Sequence, residues 1–138
     1  MTYLSKLAAL VILFASPVKA DVIIDVDTGG ALLQYLLQAE QYNSDGTRVV
    51  IRGSCWSACT VFLGVNNVCA EPSASFHFHA AYTLREGERV KAPGATQIMI
   101  ETYPEPIQQW IKSIGGLETD RWHFILGPDF SDWGVPAC

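Results

Sequence analysis

The chain has 138 residues and an acidic balance, with 14 Asp and Glu against 9 Lys and Arg and a net charge of −5. That length corresponds to one domain. Nucleic acid and anionic lipid both carry negative charge, so a chain this acidic is a poor partner for either.

The first twenty residues have the three-part layout of a secretory signal peptide. Lys6 supplies a positive charge, an apolar run extends from Leu7 to Ala15, and Val18-Lys19-Ala20 offers a cleavage site. The run is far shorter than the ~20 residues that a membrane-spanning helix needs. We therefore predict a signal peptide at 1–20, a single domain at 21–138, no membrane span and a periplasmic or secreted location. The alternatives for this segment are an uncleaved anchor or a buried N-terminal helix.

Four cysteines follow the predicted leader: Cys55, Cys59, Cys69 and Cys138. An even number in an exported chain predicts two disulfides, for which three connectivities are possible. The alternative is a metal site, since Cys55 and Cys59 have roughly ligand-like spacing. The position of Cys69 does not match a zinc pattern, and His77 and His79 are too close together for a zinc finger. We therefore predict disulfides, with no metal and no cofactor.

The rest of the chain alternates between strand and helix patterns. The predicted elements are a strand at 22–26, a helix at 31–41, a strand at 48–52, a short helix at 57–63, strands at 68–70 and 75–79, and a helix at 96–114 interrupted near Pro104 and Pro106. The polar segment 82–95 is interpreted as a solvated loop, with a lid as the alternative, and the tail from Leu117 has weak strand signals. This order predicts an α/β fold with a mixed, mainly parallel sheet.

Glycine-bearing turns follow both of the longer strands. Gly29-Gly30 follows the first, and Gly53 to Ser57 follows the second and leads into the short helix. Because ligands of such sheets gather beyond the carboxyl ends of the strands, the two turns should meet at one site. Glycine there lets the backbone approach a substrate and offer an N–H group, while the alternative is an ordinary turn.

Several side chains near these turns are candidates for chemistry. Ser57 lies at the start of a helix, where the N–H of Ala58 can face a developing oxyanion; the alternative role for this serine is a helix N-cap. His77 and His79 lie on one face of their strand, and a neutral histidine can act as a general base, although a structural histidine is the alternative. Asp120 is the best acidic candidate for orienting a histidine, with Asp25, Asp27 and Glu71 as competitors.

Taken together, these residues resemble the Clp protease proteolytic subunit and its crotonase relatives. That family has Pro-Gly-Gly after a strand, Gly-x-x-x-Ser at a strand-to-helix turn, and a His seven residues beyond a Pro. The matches are Gly29-Gly30, Gly53 with Ser57, and Pro72 with His79, and Thr28 stands where the family has its first Pro. The segments Cys-Trp-Ser-Ala-Cys-Thr and Phe-His-Ala-Ala are similar to a group of small exported bacterial proteins.

The resemblance, which covers residues 22–82, implies a compact ClpP/crotonase-like βαβ domain. It implies that Ser57 is the nucleophile, that His79 rather than His77 is its base, and that Gly30 and Ala58 supply oxyanion N–H groups. Asp120, followed by Arg and an aromatic residue, matches the third member of the triad in order and type.

Three functions are compatible with these features. The first is an exported serine hydrolase, most simply a peptidase, acting on a peptide or small acyl substrate. The second is an inactive binding module of the bacterial envelope on the same fold, since one scaffold can host several functions. The third is a structural protein held by disulfides. The chain lacks the segments with which Clp rings stack and meet an unfoldase, so we expect neither ring assembly nor an ATP-driven unfoldase.

Overall fold

The computed structural model describes residues 19–138. The predicted signal peptide therefore lies almost wholly outside the described residues. Within the described range, no helix combines the length and the apolar character that crossing a bilayer requires.

From Val22 to Phe78 the strands and helices follow the predicted order, and the structure departs from it beyond that point. The strands are β1 Val22–Asp27, β2 Val49–Trp56, β3 Val68–Ala70, β4 Ser75–Phe78, β5 Tyr82–Arg85, β6 Glu88–Lys91 and β7 His123–Leu126. The α-helices are α1 Leu32–Asp45, α2 Pro93–Glu101 and α3 Glu105–Ser113, and two 3-10 helices span Ser57–Gly64 and Ser131–Trp133. The β-branched runs form β1 and the first half of β2, and α1 ends before Gly46, which adopts the left-handed conformation that favours glycine at a helix end.

The main sheet is mixed and mostly parallel, as predicted. β2 lies in its centre and pairs in parallel with β1 on one side and with β3 and β4 on the other. β7 then pairs with β4 in the antiparallel sense. Since β1, β2 and β4 run in the same direction, the turns at their carboxyl ends lie at one edge of the sheet.

The core lies between one face of this sheet and the helices. The alternation along β4 directs Phe76 and Phe78 into the core, where both side chains are fully buried in one cluster with Ile107 and Ile111 of α3. Burying such a side chain contributes roughly 1.5–3 kcal/mol each. His77, between the two phenylalanines, therefore points to the opposite face.

That opposite face of the sheet carries no helix in the described part of the chain. Trp56 and His77 lie on it, next to Phe124 and Leu126 of β7, which are 55% and 61% exposed. On this side β7 thus exposes apolar side chains, whereas His77 is buried beside them.

Two disulfides hold this domain, which confirms the predicted disulfide bonding. Cys55 is bonded to Cys59, and Cys69 is bonded to Cys138. The first bond closes a short ring around Ser57, and the second ties the last residue of the chain to β3. The sequence left three connectivities open, and the fold selects this one.

Two predicted elements differ from the structure. The predicted loop at 82–95 is wrong, because β5 and β6 form a hairpin. Its two turn residues, Glu86 and Gly87, both have positive φ, as a type I′ turn requires. The predicted helix at 96–114 is two helices, since Pro104 adopts an extended backbone conformation and separates α2 from α3.

Candidate active site

Ser57 lies at a sharp turn between β2 and the 3-10 helix. Its φ is 55°, a left-handed conformation that is uncommon for a residue other than glycine. Such strain persists only where the surrounding structure enforces it, and here the Cys55–Cys59 disulfide brackets the serine. The turn directs Ser57 Oγ away from the end of the sheet, and the residue is half-buried there.

The hydrogen bond of Ser57 distinguishes its two predicted roles. The 3-10 helix has no side-chain hydrogen bond at its N-cap, which is Trp56. Instead, Ser57 Oγ lies 2.7 Å from Nε2 of His79. The serine is therefore paired with a histidine and does not cap the helix.

His79 follows β4 directly, at the same edge of the sheet as Ser57. Its Nδ1 lies 2.7 Å from the carbonyl oxygen of Ala80. A carbonyl oxygen only accepts, so Nδ1 carries the proton and Nε2 of the neutral ring is the acceptor. This tautomer directs a lone pair at the Ser57 hydroxyl, which is the arrangement that a general base requires.

The surroundings of His79 favour its neutral form. The side chain is 7% exposed. Burial lowers the pKa of His79, the hydrogen bond to Ala80 opposes this shift, and the positive charge of Arg89 adds to it. The imidazole is therefore neutral near pH 7 and ready to accept a proton.

The glycine turn after β1 packs directly against the Ser57 turn, as the sequence predicts. A Cβ on Gly29, whose φ is 81°, would lie 2.6 Å from the carbonyl oxygen of Trp56 and 2.8 Å from Cβ of Ser57. Only glycine permits this approach. The turns after β1 and β2 therefore form one structural unit.

Asp27 fixes the conformation of the glycine turn. Its Oδ1 accepts the N–H of Gly29 at 2.8 Å and the hydroxyl of Tyr35 at 2.7 Å. Burial and the nearby carboxylate raise the pKa of Tyr35 to about 12, so the phenol remains a donor. The Gly29 N–H is therefore used within the turn and is not free to bind a ligand.

A cavity of about 590 Å³ opens beside the Ser57–His79 pair. Gly29, Gly30 and Ala58 line it at the sheet edge. The remaining wall exposes both apolar and polar groups and comes from the hairpin, α1, α2 and the segment before β7, through Leu32, Tyr82, Leu84, Arg89, Met99 and Trp122. The cavity is large enough for a peptide segment or an acyl group.

Asp120 is exposed and does not meet His79. Within residues 19–138, no hydrogen bond joins the two residues, and the nitrogen that a triad carboxylate would orient is bonded to Ala80. From the same segment it is Trp122 that contacts His79, with its ring 4.4 Å from the His79 ring in an edge-on arrangement.

The sequence did not predict that Trp122 belongs to the site. Its place as the aromatic member of the Asp-Arg-aromatic pattern is the one sequence signal that points to it.

His77 lies away from Ser57. Its ring stacks on Trp56 at 3.6 Å, and its Nε2 lies 2.9 Å from Oγ of Ser75. Burial lowers the pKa of His77 as well. Among the described residues, no group of three or more His, Cys, Asp or Glu side chains is placed to hold a metal ion.

A comparison with protein-family models finds no match for this chain. A search of curated proteins also finds no match.

Proposed function

We propose that this chain is an exported serine hydrolase with a ClpP/crotonase-like fold, and that its substrates are peptides or small acyl compounds. One observation carries the proposal: the 2.7 Å contact between Ser57 Oγ and the acceptor nitrogen of His79, at a strained turn beside a cavity. A helix N-cap serine would bond to a backbone N–H group, whereas Ser57 bonds to the histidine nitrogen that can accept its proton.

The proposed reaction is acyl transfer. Ser57 Oγ attacks the substrate carbonyl carbon while its proton passes to Nε2 of His79. The N–H groups of Gly30 and Ala58 donate to the oxygen on which negative charge develops. His79 then gives the proton to the leaving group, and a water molecule, activated by the same nitrogen, hydrolyses the acyl-enzyme. The carbonyl of Ala80 holds the ring orientation that a carboxylate provides in a triad.

The proposed location makes this activity independent of ATP. Two disulfides are compatible with an oxidising compartment. We expect neither an ATP-driven unfoldase there nor assistance from one, so the substrates would be short or already unfolded chains.

Labelling with a fluorophosphonate probe tests the proposal. The oxidised protein should be labelled, and Ser57→Ala should remove the label. Ser54→Ala is the matched control, because Ser54 lies on β2, just before the Ser57 turn, and contacts Ser75 rather than His79. Absence of labelling in a folded, disulfide-bonded sample would overturn the hydrolase.

A binding module without turnover is the second candidate. The observation that favours it is the carbonyl partner of His79, since a carboxylate would stabilise the imidazolium that forms during acyl transfer and a neutral carbonyl does so less. In that case, the cavity would bind peptides while Ser57 remained unlabelled. Equilibrium binding of peptides, measured together with probe labelling, distinguishes the binding module from the hydrolase.

A further inference from the structure

The hairpin β5–β6 contributes a charged group to an otherwise uncharged cavity. Among the described residues that line the cavity, Arg89 is the one with a permanent charge. Glu86 and Glu88 lie on the same hairpin but do not line the cavity. The chain as a whole is acidic, so a cation at this position goes against the general charge of the surface.

Contacts hold the Arg89 guanidinium near the catalytic pair. It lies 4.6 Å from the centre of the Tyr82 ring, a cation–π arrangement, and the Tyr82 ring lies 5.8 Å from that of His79. One of its nitrogens makes a long hydrogen bond of 3.5 Å to the carbonyl of Thr119. The charge also contributes to the lowered pKa of His79. Arg89 is thus close enough to act on whatever binds beside Ser57.

The guanidinium retains unused binding capacity. It has five N–H donors in a planar fork that fits a carboxylate. Within residues 19–138, no carboxylate lies in ion-pair contact with Arg89, whereas Arg48 and Arg52 are both paired with aspartates. An anion that enters the cavity would therefore find a positioned donor group with no competing partner.

We propose that Arg89 selects substrates with a carboxylate close to the bond that Ser57 attacks. This inference rests on the proposed function and adds the substrate class to it: peptides with an acidic side chain or a free C-terminus at the cavity. The apolar wall, formed by Leu32, Leu84 and Trp122, accommodates the uncharged part of such a substrate.

Competition against fluorophosphonate labelling tests the charge preference directly. The neutral peptide is acetyl-Ala-Gln-Ala-amide. Two acidic peptides each add one carboxylate to it: acetyl-Ala-Glu-Ala-amide in the side chain, and acetyl-Ala-Gln-Ala with a free C-terminus in the main chain. At least one acidic peptide should halve the labelling rate at about a fivefold lower concentration than the neutral peptide, the effect of one solvent-accessible ion pair. The acidic peptide that competes better identifies the source of the carboxylate. Added salt should reduce the difference.

Arg89→Gln should abolish this preference, and Arg89→Glu should reverse it. Arg85→Gln is the matched control, since Arg85 lies on the same hairpin, is exposed and does not line the cavity. Equal competition by all three peptides, or the same loss in both glutamine variants, overturns the role of Arg89 and leaves the hydrolase intact. Absence of labelling in the unmodified protein overturns both proposals.

Discussion

His77 and His79 are two residues apart, yet their surroundings give them different capacities. Both are buried and both have a lowered pKa. His77 lies inside β4, and its ring is held parallel to the Trp56 ring. His79 lies just beyond the strand, where its ring reaches the Ser57 turn. The position at the end of the strand, rather than burial or pKa, therefore brings His79 and not His77 into contact with Ser57.

Replacing His77 and His79 in turn should give the largest difference in the rate of fluorophosphonate labelling. We expect His79→Gln to reduce the rate of fluorophosphonate labelling by about 10²–10⁴-fold, because a general base contributes that much. His77→Gln should label at nearly the rate of the unmodified protein, although its melting temperature should fall with the loss of the Trp56 stack. Loss of labelling in His77→Gln alone would reverse the assignment of the base.

The contact between the two turns can be broken without touching either histidine. Gly29→Ala introduces a Cβ 2.6 Å from the carbonyl oxygen of Trp56, so the Ser57 turn must move away from its position beside His79. A displacement of about 1 Å at a reacting group can cost roughly 10²-fold, and we expect a loss of labelling of that order. Gly94→Ala serves as the control, since a Cβ there meets nothing within 4 Å. Equal labelling of both variants would show that the contact does not position Ser57.

The pH dependence of labelling should follow His79 and not His77. Only the neutral ring accepts the Ser57 proton, so labelling rises with pH through the pKa of His79, which burial holds below the ordinary value of 6.5. Arg89→Gln removes a positive charge and should move the midpoint to higher pH. His77→Gln should leave the midpoint unchanged. A midpoint that moves in His77→Gln would show that the two rings titrate as a coupled pair.

The smallest effect is expected at Asp120. Because Ala80 already occupies Nδ1 of His79, Asp120→Asn should change the labelling rate by less than about twofold, well below the 10⁴-fold loss that amidation of a triad aspartate causes. A loss of about 100-fold or more would show that Asp120 reaches His79 when a substrate is bound.

The sequence correctly predicted the strands and turns whose conformation depends on a few neighbouring residues. The β-branched runs formed β1 and β2, the alternation in β4 separated the phenylalanines from the histidines, and the glycines marked the two turns that meet. These features depend on backbone preference and on the period of a strand, both of which can be read within a few residues.

The features that the sequence did not predict depend on contacts between distant residues or on exposed strands. The bond between Cys69 and Cys138 joins residues 69 positions apart, and no local pattern specifies such a pairing. All four residues of β6 are exposed, so its side chains lack the alternation that reveals a half-buried strand. The Ala80 carbonyl that holds His79 is a backbone group, which every residue has, so residue types cannot identify it.

Trp122 gives the site an optical reporter of its own. Its ring lies edge-on to His79 at 4.4 Å and 5.2 Å from that of Trp56, whereas Trp110 and Trp133 pack against each other elsewhere. A protonated imidazole quenches the fluorescence of an adjacent indole, so the emission of Trp122 should decrease as His79 gains its proton. The protonation of His79 can then be followed by fluorescence in the free protein, without a substrate, and Trp122→Phe provides the blank.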